Sequence, residues 1–172
     1  MFEAALSGGL AAFNRLPAGE ARAELLSCCA SPAWAGQMLA ARPYRSVAEA
    51  MARSDRAVAG LSDAELDAAL AGHPRIGERA AGAEGRDWSS REQAGMSGAG
   101  DSVRQALAEG NRAYEERFGH VYLVCATGRT AEEMLDLLHR RLANDPATER
   151  PVVLGELAKI NRLRLAKLLE GP

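Results

Sequence analysis

"SDAELDAALAGHPRIGER" occupies residues 62–79. Its first half reads as a helix with a marked start. Ser62 and Glu65 have capping-box spacing, in which serine and glutamate satisfy free backbone N–H groups reciprocally. The second half cannot continue that helix. A residue before proline is pushed out of α geometry, so the helix must close at His73. Gly72 is expected to take the positive φ that commonly ends a helix. The stretch that follows, "GHPRIGERAAGAEGRDW" (72–88), holds four glycines and a proline without sustained periodicity. It reads as a long loop, and such loops in compact domains are often functional.

Similar helix starts recur in both directions. "SPAW" offers Ser31 as N-cap with Pro32 in the first turn, and Pro43 stops that helix. "SVAE" (Ser46, Glu49) and "TAEE" (Thr130, Glu133) are further capping boxes. "NDPATE" supplies Asp145 and Pro146. Residues 101–118 read as helix despite Gly110, and a first helix is expected near residues 2–14, weakened by Gly8 and Gly9. A last helix is expected over 151–170. One short run departs from this pattern. "VYLVCA" (121–126) is apolar, β-branched and aromatic, and reads as buried extended chain without a partner strand. The expected architecture is therefore all-α: a compact single-domain helical bundle spanning 1–172, with one short extended segment near 121–126.

The totals agree. The 172 residues suit one domain, and 47% hydrophobic with 26% charged residues is ordinary for a globular protein. A formal net charge of −2 gives no basis for a nucleic-acid partner. No run is long and apolar enough for a membrane span, and no targeting signal is recognisable, so a cytoplasmic setting is expected. Cys28, Cys29 and Cys125 make no disulfide framework and suit a reducing compartment. Cys125, inside an apolar run, reads as an inert core thiol. His120 and His139 lack metal-ligand spacing to each other or to His73, so no metal is expected.

Three features could carry chemistry. His73 sits at a fixed corner where helix gives way to loop. It is either a helix-terminal histidine facing the last carbonyls or a general acid or base, since imidazole changes charge near neutral pH. In "WSSREQAGM" (88–96), Ser89 and Glu92 again have capping spacing. Glu92 either caps a helix or, with Ser89 and Gln93, lines a pocket mouth at a helix start. In "PVVLGELAKINRLRLAKLLE" (151–170), Val153, Leu157, Ile160 and Leu168 form one stripe at about 100° per residue. Arg164 falls inside it, while Arg162 points to the polar side. A guanidinium on an apolar face needs an anion, either a structural carboxylate or a ligand's.

"AHPRIGER", "WSSREQAGM", "RFGHVYLVCATGRTAEEML" and "ELAKINRLRLAKLL", together with "LPAGEARAELLSCCASPAW", resemble the OHCU decarboxylase family over nearly the whole chain. The family acts on 2-oxo-4-hydroxy-4-carboxy-5-ureidoimidazoline in urate degradation. The resemblance implies a helical bundle without a standard sheet, a homodimer, no cofactor and S-allantoin as product. It places the catalytic histidine, glutamate and arginine on His73, Glu92 and Arg164. Substrate contacts fall on Pro74, on Ser89, Ser90, Arg91, Glu92 and Gln93, and on Tyr122, Leu123, Val124, Cys125 and Ala126. Tyr122 stands where family members often have phenylalanine. Two rivals remain: a helical interaction module that has lost activity, and a lyase acting on a related ring ureide.

Overall fold

The backbone of the computed structural model, which describes residues 9–77 and 92–170, contains helices and connections and no strand among those residues. Eight helices are described: α1 (Leu10–Arg15), α2 (Ala18–Cys28), α3 (Pro32–Ala40), α4 (Val47–Ala59), α5 (Asp63–Ala71), α6 (Asp101–Phe118), α7 (Ala131–Leu142) and α8 (Pro146–Glu170). A single 3-10 turn covers Ala94–Met96. The fold is all-α.

The starts form largely where the sequence places them. Ser31 accepts the Trp34 N–H ahead of α3, and Asp145 accepts the Thr148 N–H at 2.7 Å ahead of α8. Ser62 with Glu65, and Thr130 with Glu133, complete reciprocal capping boxes. The box at Ser46 is only half made. Ser46 accepts the Glu49 N–H, but the Glu49 carboxylate turns to the Arg45 N–H and guanidinium. An arginine two atoms' reach away offers that carboxylate a charged partner in addition to a backbone one.

Three boundaries differ from expectation. The last helix begins at Pro146, not 151, because Asp145 caps it and Pro146 suits its first turn; Pro151 lies inside. Gly72 is not among the positive-φ glycines, which are Gly77, Gly119 and Gly128. Helix α5 instead ends through tightened bonds, from Gly72 N–H to Ala69 O and from His73 N–H to Leu70 O at 3.0 Å. The first helix is described only from Leu10; the earlier part of that expectation lies outside the described residues.

The chain divides into two compact units, one running to Ala68 and resuming at Ala158, the other covering Ala69–Leu157. In the first, α3 packs with α2 and α4. Trp34, Leu25, Met38 and Leu165 are fully buried there. Trp34 Nε1 donates to Ser54 Oγ at 3.0 Å, tying α3 to α4. Asn14 exchanges two hydrogen bonds with the Tyr44 backbone, and the Tyr44 hydroxyl donates to Met38 O. Arg162 takes the exposed side of α8, as the stripe requires, and pairs with Asp55.

In the second unit α6 packs along α7. The core joins Leu107 and Tyr114 of α6, Met134 and Leu138 of α7, and Tyr122, Val124 and Ala126 of the expected extended run. Gly110 lets α7 pack tightly on α6, since a Cβ there would overlap the Leu138 side chain. The helix keeps a poor helix former at that point because packing outweighs propensity.

Candidate functional site

The run 122–126 is buried throughout and belongs to neither helix nor strand. A buried backbone must find hydrogen-bond partners; the Ala126 carbonyl accepts the Arg129 N–H at 3.0 Å, and side chains supply others. The Leu123 carbonyl accepts from Arg141 Nη1 at 2.6 Å. The Cys125 N–H donates to Glu156 Oε2 at 2.7 Å, and its carbonyl accepts from Arg129 Nε. The Tyr122 hydroxyl donates to Met134 O.

Arg141 is itself part of a buried cluster. Its Nε donates to Glu149 Oε1 at 2.6 Å, and the same carboxylate accepts from the Tyr114 hydroxyl and from Asn144 Nδ2. The guanidinium also lies over the Tyr122 ring, 4.8 Å from its centroid. Burial, and then the hydrogen bond to Glu149, push the Tyr114 hydroxyl well above the ordinary tyrosine range. Burial pushes Tyr122 up to about 12. Both phenols therefore remain neutral donors at physiological pH.

His73 is half-buried directly after α5. The loop beyond it is held at two points. Arg75 grips Glu115 of α6 with two bonds of 2.6 and 2.8 Å, which hold the Glu115 carboxyl below the usual range. Gly77, at φ 90, gives its N–H to Gln93 Oε1 at 2.7 Å. Gln93 thus has a positioning contact on the segment that follows His73 and Pro74. Glu92 is buried, 8% exposed, beside it in sequence. Ser89, Ser90 and Arg91 lie outside the described residues. Gly95 allows a close backbone approach: a Cβ there would overlap the Arg129 carbonyl.

Arg164 belongs to the other unit. It is 7% exposed and donates from Nη1 to the Cys28 carbonyl at 2.8 Å. Burial raises the Cys29 thiol, opposed by Asn161, the Ser31 backbone and Arg164, so the thiol is a poor nucleophile.

The structure thus brings 122–126, Arg141, Glu149 and Glu156 together in one unit, with the Gly77–Gln93 contact in the same unit. Arg141, Glu149 and Glu156 did not figure in the sequence reading. A signal existed for all three. At about 100° per residue, Glu149 and Glu156 lie within about 60° of Val153, on the same stripe as Arg164. Arg141 carries the same mark within α7, about 20° from Met134 and about 60° from Leu138. His120 and Cys125 fit packing roles: His120 rests against Tyr114 and Phe118, and Cys125 is buried. No group of three metal-ligating side chains is found among the described residues.

Comparison with known proteins agrees with this arrangement of motifs. The family model described as OHCU decarboxylase matches residues 14–166. An OHCU decarboxylase of Amia calva is 32% identical over 150 residues, 83% of this chain and 81% of that protein. The Haloferax volcanii protein of the same name is 30% identical over 139 residues, covering 80% and 81%. The uric acid degradation bifunctional protein TTL of Arabidopsis thaliana is 33% identical, and the match spans only 45% of its length. A crystal structure of OHCU decarboxylase in the presence of (S)-allantoin superposes with a TM-score of 0.75 at 30% identity, covering 86% of this chain and 98% of that one. The chain belongs to the OHCU decarboxylase family.

Proposed function

We propose that this chain removes CO2 from 2-oxo-4-hydroxy-4-carboxy-5-ureidoimidazoline to give S-allantoin, with His73, Glu92 and Arg164 as its catalytic residues. The observation that carries the reading is the family match over residues 14–166, a span that includes these three positions. We further propose a cytoplasmic homodimer. No described helix is long and apolar enough to cross a membrane.

The substrate supplies its own electron sink. When the C–C bond to the carboxylate breaks, its electron pair forms a C=C bond to the ureido-bearing carbon, the C=N pair moves to the ring nitrogen, which takes up one proton, and CO2 departs. The resulting enol ketonises: the hydroxyl gives up its proton and the ureido-bearing carbon gains one. No pyridoxal or thiamine group is needed for such a step. Arg164 contributes fixed positive charge for the carboxylate. His73 moves the proton, and Glu92 hydrogen-bonds substrate polar groups and assists that transfer. Pro74, Ser89 to Gln93 and the backbone of 122–126 hold the flat ring. Delivery to one face yields a single enantiomer.

The test generates the substrate in situ from urate with urate oxidase and hydroxyisourate hydrolase, then follows decay of the optically active intermediate. With this protein, decay accelerates and S-allantoin accumulates. Equal decay with and without it overturns the assignment and leaves the interaction-module reading. Acceleration confined to another ring ureide favours the related-lyase reading.

A further inference from the structure

A cavity of about 250 Å³ opens within the 69–157 unit, walled by Arg75, Ile76, Met96, Arg104, Asn111 and Arg112 among others. None of His73, Glu92 or Arg164 lines it. Three arginines line one hollow, and no acidic side chain is among the described residues that line it.

Their partners leave positive charge over. Arg75 is matched by Glu115. Arg104 donates to the Met96 carbonyl at 2.5 Å and the Ala99 carbonyl at 3.2 Å, which orient it without neutralising it. Arg112 is exposed, and no hydrogen bond or ion pair to it is found among the described residues.

Asn111 makes the second, independent observation. It is 2% exposed, and its Oδ1 is buried without a partner. No hydrogen bond to its Nδ2 is found among the described residues either, so that donor is left for the cavity. An anion is served by that Nδ2 donor; the buried Oδ1, an acceptor, takes no part in holding it.

We propose that this cavity is a binding site for a small oxyanion of the size of inorganic phosphate or a short dicarboxylate. Arg104 and Arg112 supply the charge. Asn111 contributes a neutral donor from the wall. The volume of about 250 Å³ admits a compact anion. None of the three proposed catalytic residues is among its lining residues, and the proposal stands whether or not the proposed reaction is right.

The experiment is calorimetric titration of the full chain with inorganic phosphate and, separately, malonate, at constant ionic strength set with chloride. One of the two saturates at one per chain, and the tighter one identifies the source class. Arg112→Ala, an exposed substitution, weakens that binding at least about tenfold. Asn111→Leu, which removes the unsatisfied amide, weakens it as well. Arg164→Lys leaves it unchanged. Absence of saturation by either anion below about 10 mM overturns the proposal. So does equal affinity in wild type and Arg112→Ala, since the anion then sits elsewhere.

Discussion

Glu156 Oε2 accepts the N–H of Cys125 at 2.7 Å from 31 positions along the chain, and both residues are buried. A segment with no strand neighbour thus gains one rung of a ladder from a carboxylate. Arg141 supplies another, to the Leu123 carbonyl two residues earlier.

Removing that rung costs stability. Glu156→Ala leaves a buried N–H unmade and lowers unfolding free energy by about 1–3 kcal/mol. Glu156→Gln keeps an acceptor and recovers most of it. Urea denaturation of both variants checks the order. Under the proposed function, Glu156→Ala also raises KM, because the backbone that meets the substrate loses its support.

The Arg141–Glu149 pair gives a larger effect. Arg141→Met strands a buried carboxylate and loses about 3–5 kcal/mol. Adding Glu149→Leu to the same chain regains part of that loss, because the uncompensated charge is gone. A double-mutant cycle measures the coupling; simple additivity of the two single losses would contradict the pairing.

Gly95 and Gly110 separate backbone from side-chain crowding. A methyl at Gly95 meets the Arg129 carbonyl, which can yield only by moving the main chain. A methyl at Gly110 meets the end of Leu138, which can rotate. Gly95→Ala therefore loses about 1–3 kcal/mol and Gly110→Ala less, as read by thermal melts.

The Arg75–Glu115 pair predicts an acid limb in stability. The folded Glu115 carboxyl lies below its ordinary 4.5, chiefly through its hydrogen bonds with Arg75. Its contribution is therefore present above pH 4.5 and fades as pH falls through the lower folded value. Glu115→Gln flattens the stability–pH curve in that window. An unchanged curve would remove the pair from the account.

For the reaction itself, His73→Asn loses activity by about 10²–10⁴-fold while circular dichroism and melting temperature stay near wild type. Arg164→Lys keeps the charge but not the planar fork, and lowers kcat/KM. A collapse of the fold in His73→Asn would instead make the histidine a structural helix terminus.

Helix type and most helix starts were legible in the residues themselves, because caps and prolines act within one turn. The closure of α5 was legible at His73–Pro74 for the same reason. Gly72 was misread because two competing ways to end a helix, a left-handed glycine and tightened carbonyl bonds, look alike in sequence. The hidden part was the support of 121–126. Its apolar character identified a buried segment, but the identity of its hydrogen-bond partners depends on α7 and α8 arriving beside it. The carboxylates on the α8 stripe and Arg141 on the buried face of α7 could be flagged by angle alone, but their partners could not. Local sequence settles backbone conformation through short-range sterics and capping. Only the tertiary structure decides which distant polar side chain satisfies which buried backbone group, because that requires the packed helices to bring them within hydrogen-bond reach.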